Sequence, residues 1–189
     1  MLRRIGVLST ISSDPAEISN ADKLILPGVG HYDYGMRNLN KSGLVEVLTK
    51  KVMKDKTPIL GICLGAQLLG NQSEEGIEKG LGWIDMDVIK FDVSKMDNSL
   101  KVPHMGWREV LTNKDSALFE GMYENPRFYF VHSFFMSPKN LDDILCSSVY
   151  GSPFTSVVQH KNIYGVQFHP EKSHKFGMKV LENFTKLQD

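Results

Sequence analysis

Short apolar runs alternate with helix-like segments in the first half of the chain. Apolar, β-branched runs that predict strands occupy residues 7–11, 23–26 and 58–62. Helix signals, namely a capping residue before Pro15 or apolar residues on one helical face, occupy residues 13–18, 44–54 and 64–70. Strands that alternate with helices in this way indicate stacked βα units around a parallel sheet.

The pattern changes after Gly76, where strand-like runs are separated by loops without long helices. These runs are residues 84–91, 107–110, 128–132 and 154–160, and they predict antiparallel strands. The run 163–169 predicts one more strand, ended by Pro170, and apolar residues at helical spacing over 176–187 predict a closing helix. Together these elements predict an α/β fold: an open, mostly parallel sheet flanked by helices, with an antiparallel insertion.

Length and charge narrow the classes of protein that fit. A chain of 189 residues suits a single domain, 1–189. Lys plus Arg equals Asp plus Glu at 22 each, which disfavours broad attraction to nucleic acid or to an anionic membrane. The N-terminus lacks the apolar stretch of a signal peptide. We therefore expect a cytoplasmic protein whose Cys63 and Cys146 are free thiols, with no nucleic-acid or membrane partner.

The stretch PILGICLGAQLL (58–69) places Cys63 between two glycines where a strand pattern becomes a helix pattern. Gly-Ile-Cys-Leu-Gly has the form of the G-x-S-x-G turn, which exposes a nucleophile between strand and helix. Gly61 and Gly65 fit a turn too crowded for a Cβ, and the N–H of Leu64 is placed to meet an oxyanion. The alternative is that Cys63 is a small apolar residue in a core strand.

A cysteine nucleophile needs a base, and His169 is the candidate. It ends a predicted strand, as Cys63 does, and the carboxyl ends of strands meet at one edge of a parallel sheet. Glu171 is two residues further on, on the same face of an extended chain, so that its carboxylate could orient the imidazole. Alternatively, His-Pro-Glu is a strand end followed by a solvated carboxylate.

The remaining motifs predict neither a metal nor a cofactor. The other five histidines are scattered and show no metal-ligand spacing. The loop Gly28-Val29-Gly30 follows a predicted strand but lacks the further residues of a nucleotide-binding motif. We expect its N–H groups to complete an oxyanion hole.

Six ordered motifs resemble those of class I (triad-type) glutamine amidotransferases, most closely the glutaminase subunits of imidazole glycerol phosphate synthases. The motifs are LPGVGHYDYGM (26–36), LGICLGAQLLGNQSEEG (60–76), GLGWI (80–84), VPHMGW (102–107), FYFVHS (128–133) and YGVQFHPEKS (164–173). The resemblance runs from about residue 1 to residue 187.

The resemblance implies hydrolysis of L-glutamine to glutamate and ammonia. Cys63 would attack the side-chain amide, His169 would transfer the proton and Glu171 would orient His169. The glutamine-binding positions implied by the motifs are Gln67, Glu75, His132 and Ser133. Glu75 suits a substrate ammonium group, although an acidic turn in solvent would also contain such a residue.

The resemblance also implies a heterodimer. The partner would be a (β/α)₈-barrel synthase that receives the ammonia and makes imidazole glycerol phosphate and AICAR in histidine biosynthesis. Positions that match a partner-facing segment or follow the triad are His104, Met105, Trp107 and Lys172. Trp107 would also suit an ordinary core position.

Three alternatives accompany this interpretation. The motifs GLGWIDMDV and SHKFGMKVL also resemble paralogues that supply ammonia to a sugar amidotransferase in surface-polysaccharide or flagellin-sugar biosynthesis. Relatives begin with a strand and a turn that lead into a helix, and residues 1–4 match the end of that helix, so the sheet is expected to lack its first strand. The second alternative is therefore a non-catalytic interaction subunit. A peptidase-like cysteine hydrolase is the third.

Overall fold

The structure, a computed structural model, describes residues 1–97 and 99–187. The predicted domain 1–189 thus includes three residues outside the described ranges, Asn98, Gln188 and Asp189. The helices are α1 (Pro15–Ser19), α2 (Tyr32–Lys41), α3 (Leu44–Thr49), α4 (Leu64–Gln67) and α5 (His174–Lys186). A π-helical turn, Lys50–Lys54, continues α3.

Eleven strands occur in the described ranges. They are β1 (Leu24–Gly28), β2 (Ile59–Cys63), β3 (Gln72–Ser73), β4 (Met86–Lys90), β5 (His104–Glu109), β6 (Leu111–Thr112), β7 (Arg127–His132), β8 (Phe134–Pro138), β9 (Ile144–Tyr150), β10 (Ser152–His160) and β11 (Ile163–Val166). Within the described residues, no helix has the length and apolar character needed to cross a membrane.

Most strands form one mixed sheet in the order β1-β2-β11-β10-β8-β4-β3. β2 is parallel to both of its neighbours, whereas β10 is antiparallel to β11, β8 and β9. β5 and β7 form a separate antiparallel pair beside this sheet. The predicted α/β fold, an open sheet flanked by helices, is therefore confirmed. The sheet is mixed rather than mostly parallel, because the antiparallel strands continue the sheet itself instead of forming a separate insertion.

The two faces of the sheet bury separate apolar clusters. On β2, Leu60 and Ile62 pack in a cluster with residues of α5, while the preceding residue, Ile59, packs with residues of α1 and α3. Successive side chains of a strand point to opposite faces, so this alternation places helices on both faces of the sheet. All five residues of β2 are buried. β2 is therefore a central strand, and its carboxyl end lies inside the molecule.

Several element boundaries differ from the predictions. The predicted strand 23–26 continues through Pro27 and Gly28, which pair in register with Ile62 and Cys63. Proline is tolerated there because β1 ends the observed strand order and has a neighbour on one side only. The predicted helix 64–70 ends at Gln67, and the strand predicted to reach His169 ends at Val166.

The predicted strand 7–11 is wrong. A 3₁₀ turn, Leu2–Ile5, packs against α5, and residues 7–14 then have no regular secondary structure. Leu8 and Ile11 are almost fully exposed, at 98% and 104% of the reference area. A strand needs a neighbour to bond its backbone, and no strand of the described chain pairs with this segment. The helix after it, α1, forms as predicted, capped by the Asp14 side chain.

Candidate functional site

Cys63 occupies the junction of β2 and α4. It is the last residue of the strand and caps the helix that begins at Leu64. Its backbone has φ 53° and ψ −112°, a conformation that non-glycine residues rarely adopt and that costs of order 1–3 kcal/mol. The predicted strand-to-helix turn is therefore present, and the thiol lies at the carboxyl end of a central strand.

Close backbone contacts explain the glycines on either side of this turn. A Cβ on Gly65 would lie 1.8 Å from the carbonyl oxygen of Leu26, and one on Gly61 would lie 2.7 Å from the Cα of Ala66. Neither neighbour is a flexible side chain, so neither position has room for a larger residue. Together the two glycines let α4 pack directly on β1 and β2, which fixes the direction of the Cys63 side chain.

His169 is held in place by backbone contacts from the neighbouring strand β7. Its N–H donates to the carbonyl of Tyr129 at 2.9 Å, and its own carbonyl accepts from the Ser173 hydroxyl at 2.6 Å. The Ser173 hydroxyl in turn accepts from the N–H of Tyr129 at 3.0 Å. The side chain is 2% exposed and precedes the 3₁₀ turn Pro170–Lys172. The backbone of β7 thus positions His169, in addition to the chain segment to which His169 itself belongs.

Glu171 and Cys63 contact opposite sides of the His169 imidazole. Nδ1 of His169 lies 2.7 Å from the Glu171 carboxylate. Nε2 is buried and has no hydrogen-bond partner among the described residues, and the Cys63 thiol is close enough to act on the ring. Interaction with Cys63, followed by the hydrogen bond with Glu171, raises the pKa of His169 to about 9. Burial is the largest single effect on Glu171 and opposes its ionisation, but the hydrogen bond to His169, a backbone hydrogen bond and the charges of His169 and Lys172 together lower the pKa of that carboxyl.

A cavity of about 390 Å³ opens onto the thiol and the imidazole. Nine of the positions predicted for catalysis, oxyanion binding or substrate binding line it: Val29, Gly30, Cys63, Leu64, Gln67, Glu75, His132, Ser133 and His169. Two predicted residues lie behind this lining. Gly28 pairs with Cys63 in the sheet, and Glu171 contacts His169 from outside the cavity.

The loop after β1 supplies the exposed side of the cavity. Val29 is 74% exposed, and Gly30 has φ +98°, which side-chain-bearing residues rarely adopt. A Cβ on Gly28 would lie 3.0 Å from the backbone N of Gly65. The loop therefore starts against the nucleophile turn and reaches the cavity as exposed backbone, which suits donation of N–H groups.

The side chains of Gln67 and Glu75 already form hydrogen bonds with other groups of this chain. The Gln67 amide donates to the Phe134 carbonyl at 3.0 Å and to the Gln167 side chain at 3.1 Å. The Glu75 carboxylate accepts from the backbone N–H of Tyr32, at the start of α2, at 2.8 Å. These bonds fix the direction of both side chains at the cavity wall and leave a second carboxylate oxygen on Glu75.

The predicted partner-facing residues divide into exposed and buried ones. Met105 is 62% exposed, Trp107 is 38% exposed and stacks on His174, and Lys172 is exposed beside Tyr129. His104 is fully buried, so the prediction that its side chain faces a partner is wrong. Alternation along β5 sends Met105 and Trp107 outward and His104 inward.

Gln167 is a site residue that the sequence reasoning missed. It is fully buried, and its amide donates to the Cys63 sulfur at 3.9 Å. The signal for it was an amide side chain inside an apolar run, two residues before His169 and so on the same face of an extended chain. Within the described ranges, no group of three or more His, Cys, Asp or Glu side chains is arranged to hold a metal ion.

Comparison with known proteins places this chain in a family. Residues 2–187 match the family model described as glutamine amidotransferase class-I. A Pseudomonas aeruginosa protein named imidazole glycerol phosphate synthase subunit HisH 2 is 53% identical, with 99% of this chain and 91% of the relative covered. A Methanococcus maripaludis protein of the same name is also 53% identical, covering 98% and 91%.

Solved structures agree on the fold. A crystal structure of a glutamine amidotransferase has a TM-score of 0.73 at 17% identity, covering 97% of this chain and 90% of its own. The structure of PurLQS from Thermotoga maritima has a TM-score of 0.61 at 17% identity, covering 85% and 78%. With the family match and the relatives at 53% identity, the chain belongs to the class-I glutamine amidotransferases, in the branch of the HisH subunits.

Proposed function

We propose that this chain hydrolyses L-glutamine with Cys63 as nucleophile, His169 as acid and base, and Glu171 as the residue that orients His169. The observation that carries the proposal is the placement of one imidazole between the Glu171 carboxylate, at 2.7 Å, and the thiol of Cys63 at the cavity. A thiol beside a histidine held by a third group is the arrangement that activates cysteine nucleophiles.

The reaction then follows in two steps. The sulfur of Cys63 bonds to the side-chain amide carbon of glutamine, and His169 protonates the nitrogen, which leaves as ammonia and gives a thioester. Water, deprotonated by His169, attacks the thioester carbon, releases glutamate and restores the thiol. The N–H of Leu64 and the Gly28-Val29-Gly30 loop stabilise the oxyanion in both steps.

The cavity wall provides groups suited to the rest of the substrate. Glu75 offers a carboxylate oxygen to the substrate ammonium group, and the backbone of His132 and Ser133 offers donors to its carboxylate. Gln67 lines the same cavity with a fixed amide. Each of these contacts involves the part of glutamine that does not react, and so contributes to binding and orientation.

The proposed recipient of the ammonia is a (β/α)₈-barrel synthase that forms a heterodimer with this chain in the cytoplasm and makes imidazole glycerol phosphate and AICAR. The names of the relatives at 53% identity support a synthase role. Met105 and Trp107 lie on the outward face of β5, and Lys172 follows the triad, so these three residues form the proposed contact surface.

Labelling with 6-diazo-5-oxo-L-norleucine, an electrophilic analogue of glutamine, tests the proposal. The chain, purified with its synthase partner, is treated with the analogue, and the adduct is located by mass spectrometry. We expect one adduct on Cys63 and none on the Cys63→Ala variant. Glutamate release should fall by on the order of 10⁴-fold in Cys63→Ala. Cys146→Ala is the matched control. It should keep both the adduct on Cys63 and the release of glutamate, because Cys146 is fully buried away from the cavity lining.

The alternatives make different predictions for the same samples. No adduct on Cys63, even with the partner present, would favour a non-catalytic interaction subunit. Cleavage of peptides by the isolated chain, without glutamate release, would favour a cysteine peptidase. Glutamate release that depends on a co-purified sugar-modifying enzyme would assign the chain to sugar amidation in place of histidine biosynthesis.

A further inference from the structure

A continuous line of buried polar groups leads away from the thiol along the cavity wall. Gln167 donates to Cys63, and Gln67 donates both to Gln167 and to the carbonyl of Phe134. The same carbonyl lies 2.8 Å from Nδ1 of His132. We call this set of groups the amide–histidine line. It comprises Gln167, Gln67, the Phe134 carbonyl, His132 and the histidine bonded to it, His104.

His104 forms the far end of the amide–histidine line. Its Nδ1 lies 3.0 Å from Nε2 of His132, its direct partner in the register of β5 and β7. The His104 ring is fully buried, with Tyr150 stacked at 4.0 Å between centroids and Phe130 stacked at 5.1 Å. The ring therefore has one position, and the hydrogen bond to His132 has one geometry.

The direction of each hydrogen bond follows by elimination. The carbonyl of Phe134 can only accept, so Nδ1 of His132 carries a proton and donates. Neutral His132 then has a lone pair on Nε2, so Nδ1 of His104 donates to it. Nε2 of His104 is left without a proton, and it is indeed buried with no hydrogen-bond partner among the described residues. An unpaired lone pair is tolerated there more readily than an unpaired N–H.

The surroundings support neutral rings. Burial, followed by the proximity of His132, lowers the pKa of His104 to about 3. Burial also lowers the pKa of His132 to about 4, against the opposing effect of its bond to Phe134. Both rings are thus uncharged at neutral pH, as the elimination requires.

We infer that His104 is a positioning residue of the glutaminase cavity: its Nδ1–H holds His132 and, through the Phe134 carbonyl, the Gln67 amide in their places at the cavity wall. The inference rests on the proposed function, because it assigns His104 a part in the binding and orientation of glutamine. The register of β5 and β7 brings the two histidines together, and the stacked aromatic rings keep them there.

The inference makes a spectroscopic prediction for the unmodified chain. Free imidazole prefers the proton on Nε2, whereas the amide–histidine line requires it on Nδ1 of both His104 and His132. Long-range ¹H–¹⁵N correlation spectra at neutral pH distinguish the two tautomers. We expect both rings as the Nδ1–H form. An Nε2–H form of either ring would overturn the inference, and this result does not depend on any activity or on any variant that folds poorly.

Two variants separate hydrogen bonding from packing. His104→Phe keeps an aromatic ring in the stack but loses the donor, whereas His104→Asn places an amide N–H near the position of Nδ1. For the complex with the synthase partner, we expect His104→Phe to lower kcat/KM for glutamine by about 10- to 100-fold, mainly through KM. His104→Asn should restore it to within about threefold of the parent.

His160→Phe is the matched control. It removes the 2.9 Å bond to the buried Asp143, outside the cavity lining, so it should lower the melting temperature without changing KM. Equal kcat/KM in His104→Phe and the parent, or failure of His104→Asn to recover KM, would overturn the inference. A parent complex that releases no glutamate would instead refute the proposed function and leave the tautomer measurement valid.

Discussion

The inner wall and the outer rim of the cavity are built in opposite ways. On the inner wall, Cys63 is 8% exposed, and the turn around it has no room for even one added methyl group at Gly61 or Gly65. The outer rim includes Val29, which is 74% exposed, and we count with it Glu171, which lies just outside the cavity lining and has a 50% exposed side chain. A Cβ on Gly30, also on the rim, would meet no atom within 4 Å.

The difference separates two ways of positioning catalytic groups. Packing fixes the thiol, so its location is as stable as the core around β2. Backbone conformation and one hydrogen bond fix the rim, so its groups hold their places without close neighbours. Substitutions in the wall should therefore act strongly on stability and activity together, whereas substitutions on the rim should act mainly on activity and only weakly on stability.

Gly65→Ala should have the largest effect. The new Cβ would overlap the carbonyl oxygen of Leu26 at 1.8 Å, and neither backbone segment can move without disturbing β1 or α4. We expect a loss of about 3 kcal/mol or more in the free energy of unfolding, measured with urea, and loss of glutamate release. Gly35→Ala is the control, because its Cβ meets only side-chain ends at 3.2 Å. A Gly65→Ala protein with unchanged stability would contradict the packing argument.

Gly30→Ala should have an intermediate effect. Its φ of +98° disfavours alanine although space is free, so the loop backbone is expected to relax and turn its N–H groups away from the oxyanion. Loss of one such donor lowers kcat by roughly 10²-fold. Melting temperature should change little. Val29→Ala, which shortens an exposed side chain on the same loop, should leave kcat within about twofold. Equal kcat in both variants would argue against an oxyanion role for this loop.

Glu171→Gln should have the smallest effect, because the amide oxygen still accepts from His169 while the charge is lost. We expect kcat to fall roughly tenfold, a small part of what general acid–base catalysis supplies. The variant should also lower the pKa of His169, which interaction with Cys63 and Glu171 raises from 6.5 to about 9. NMR titration of the His169 ring measures that change, and an unaltered midpoint would exclude Glu171 as a cause.

The same pKa has a consequence for stability. A raised pKa means that the folded state binds the proton more tightly, so protonated His169 stabilises the fold fully below about pH 6.5. That contribution is lost as the pH rises from 6.5 to about 9. Urea unfolding across this range should show a decline in the free energy of unfolding that is smaller in Glu171→Gln than in the parent.

The nucleophile turn was predictable because its signal is local. Gly61, Cys63 and Gly65 lie within five residues, and the crowding at Gly61 arises between the adjacent segments β2 and α4, although that at Gly65 arises against Leu26 of β1. His169 and Glu171 were predicted as a pair because alternate residues of an extended chain share a face. The structure brings them together differently, since the strand ends at Val166 and Glu171 lies in the 3₁₀ turn that follows His169. In both cases the partners are close in sequence, so a short segment is enough to bring them together.

Features that depend on distant pairing were not predictable in the same way. Residues 7–11 have the composition of a strand, but no described strand pairs with them, so the segment stays irregular. The burial of His104 depends on the register of β5 and β7, 28 residues apart at the two histidines. Helix α2 was missed altogether, because six of its ten residues, YDYGMRNLNK, are polar or glycine and only three are buried.

The two free cysteines can report two different properties of the chain when one alkylating reagent labels both. Cys63 opens onto the cavity, whereas Cys146 in β9 is fully buried and burial raises its pKa. A small alkylating reagent on the native protein therefore marks Cys63 and reads occupancy of the cavity. The same reagent reaches Cys146 only when the sheet opens, so the slow rate at which Cys146 is labelled measures opening of the sheet. One sample, analysed by peptide mass, yields ligand binding and conformational opening without any engineered label.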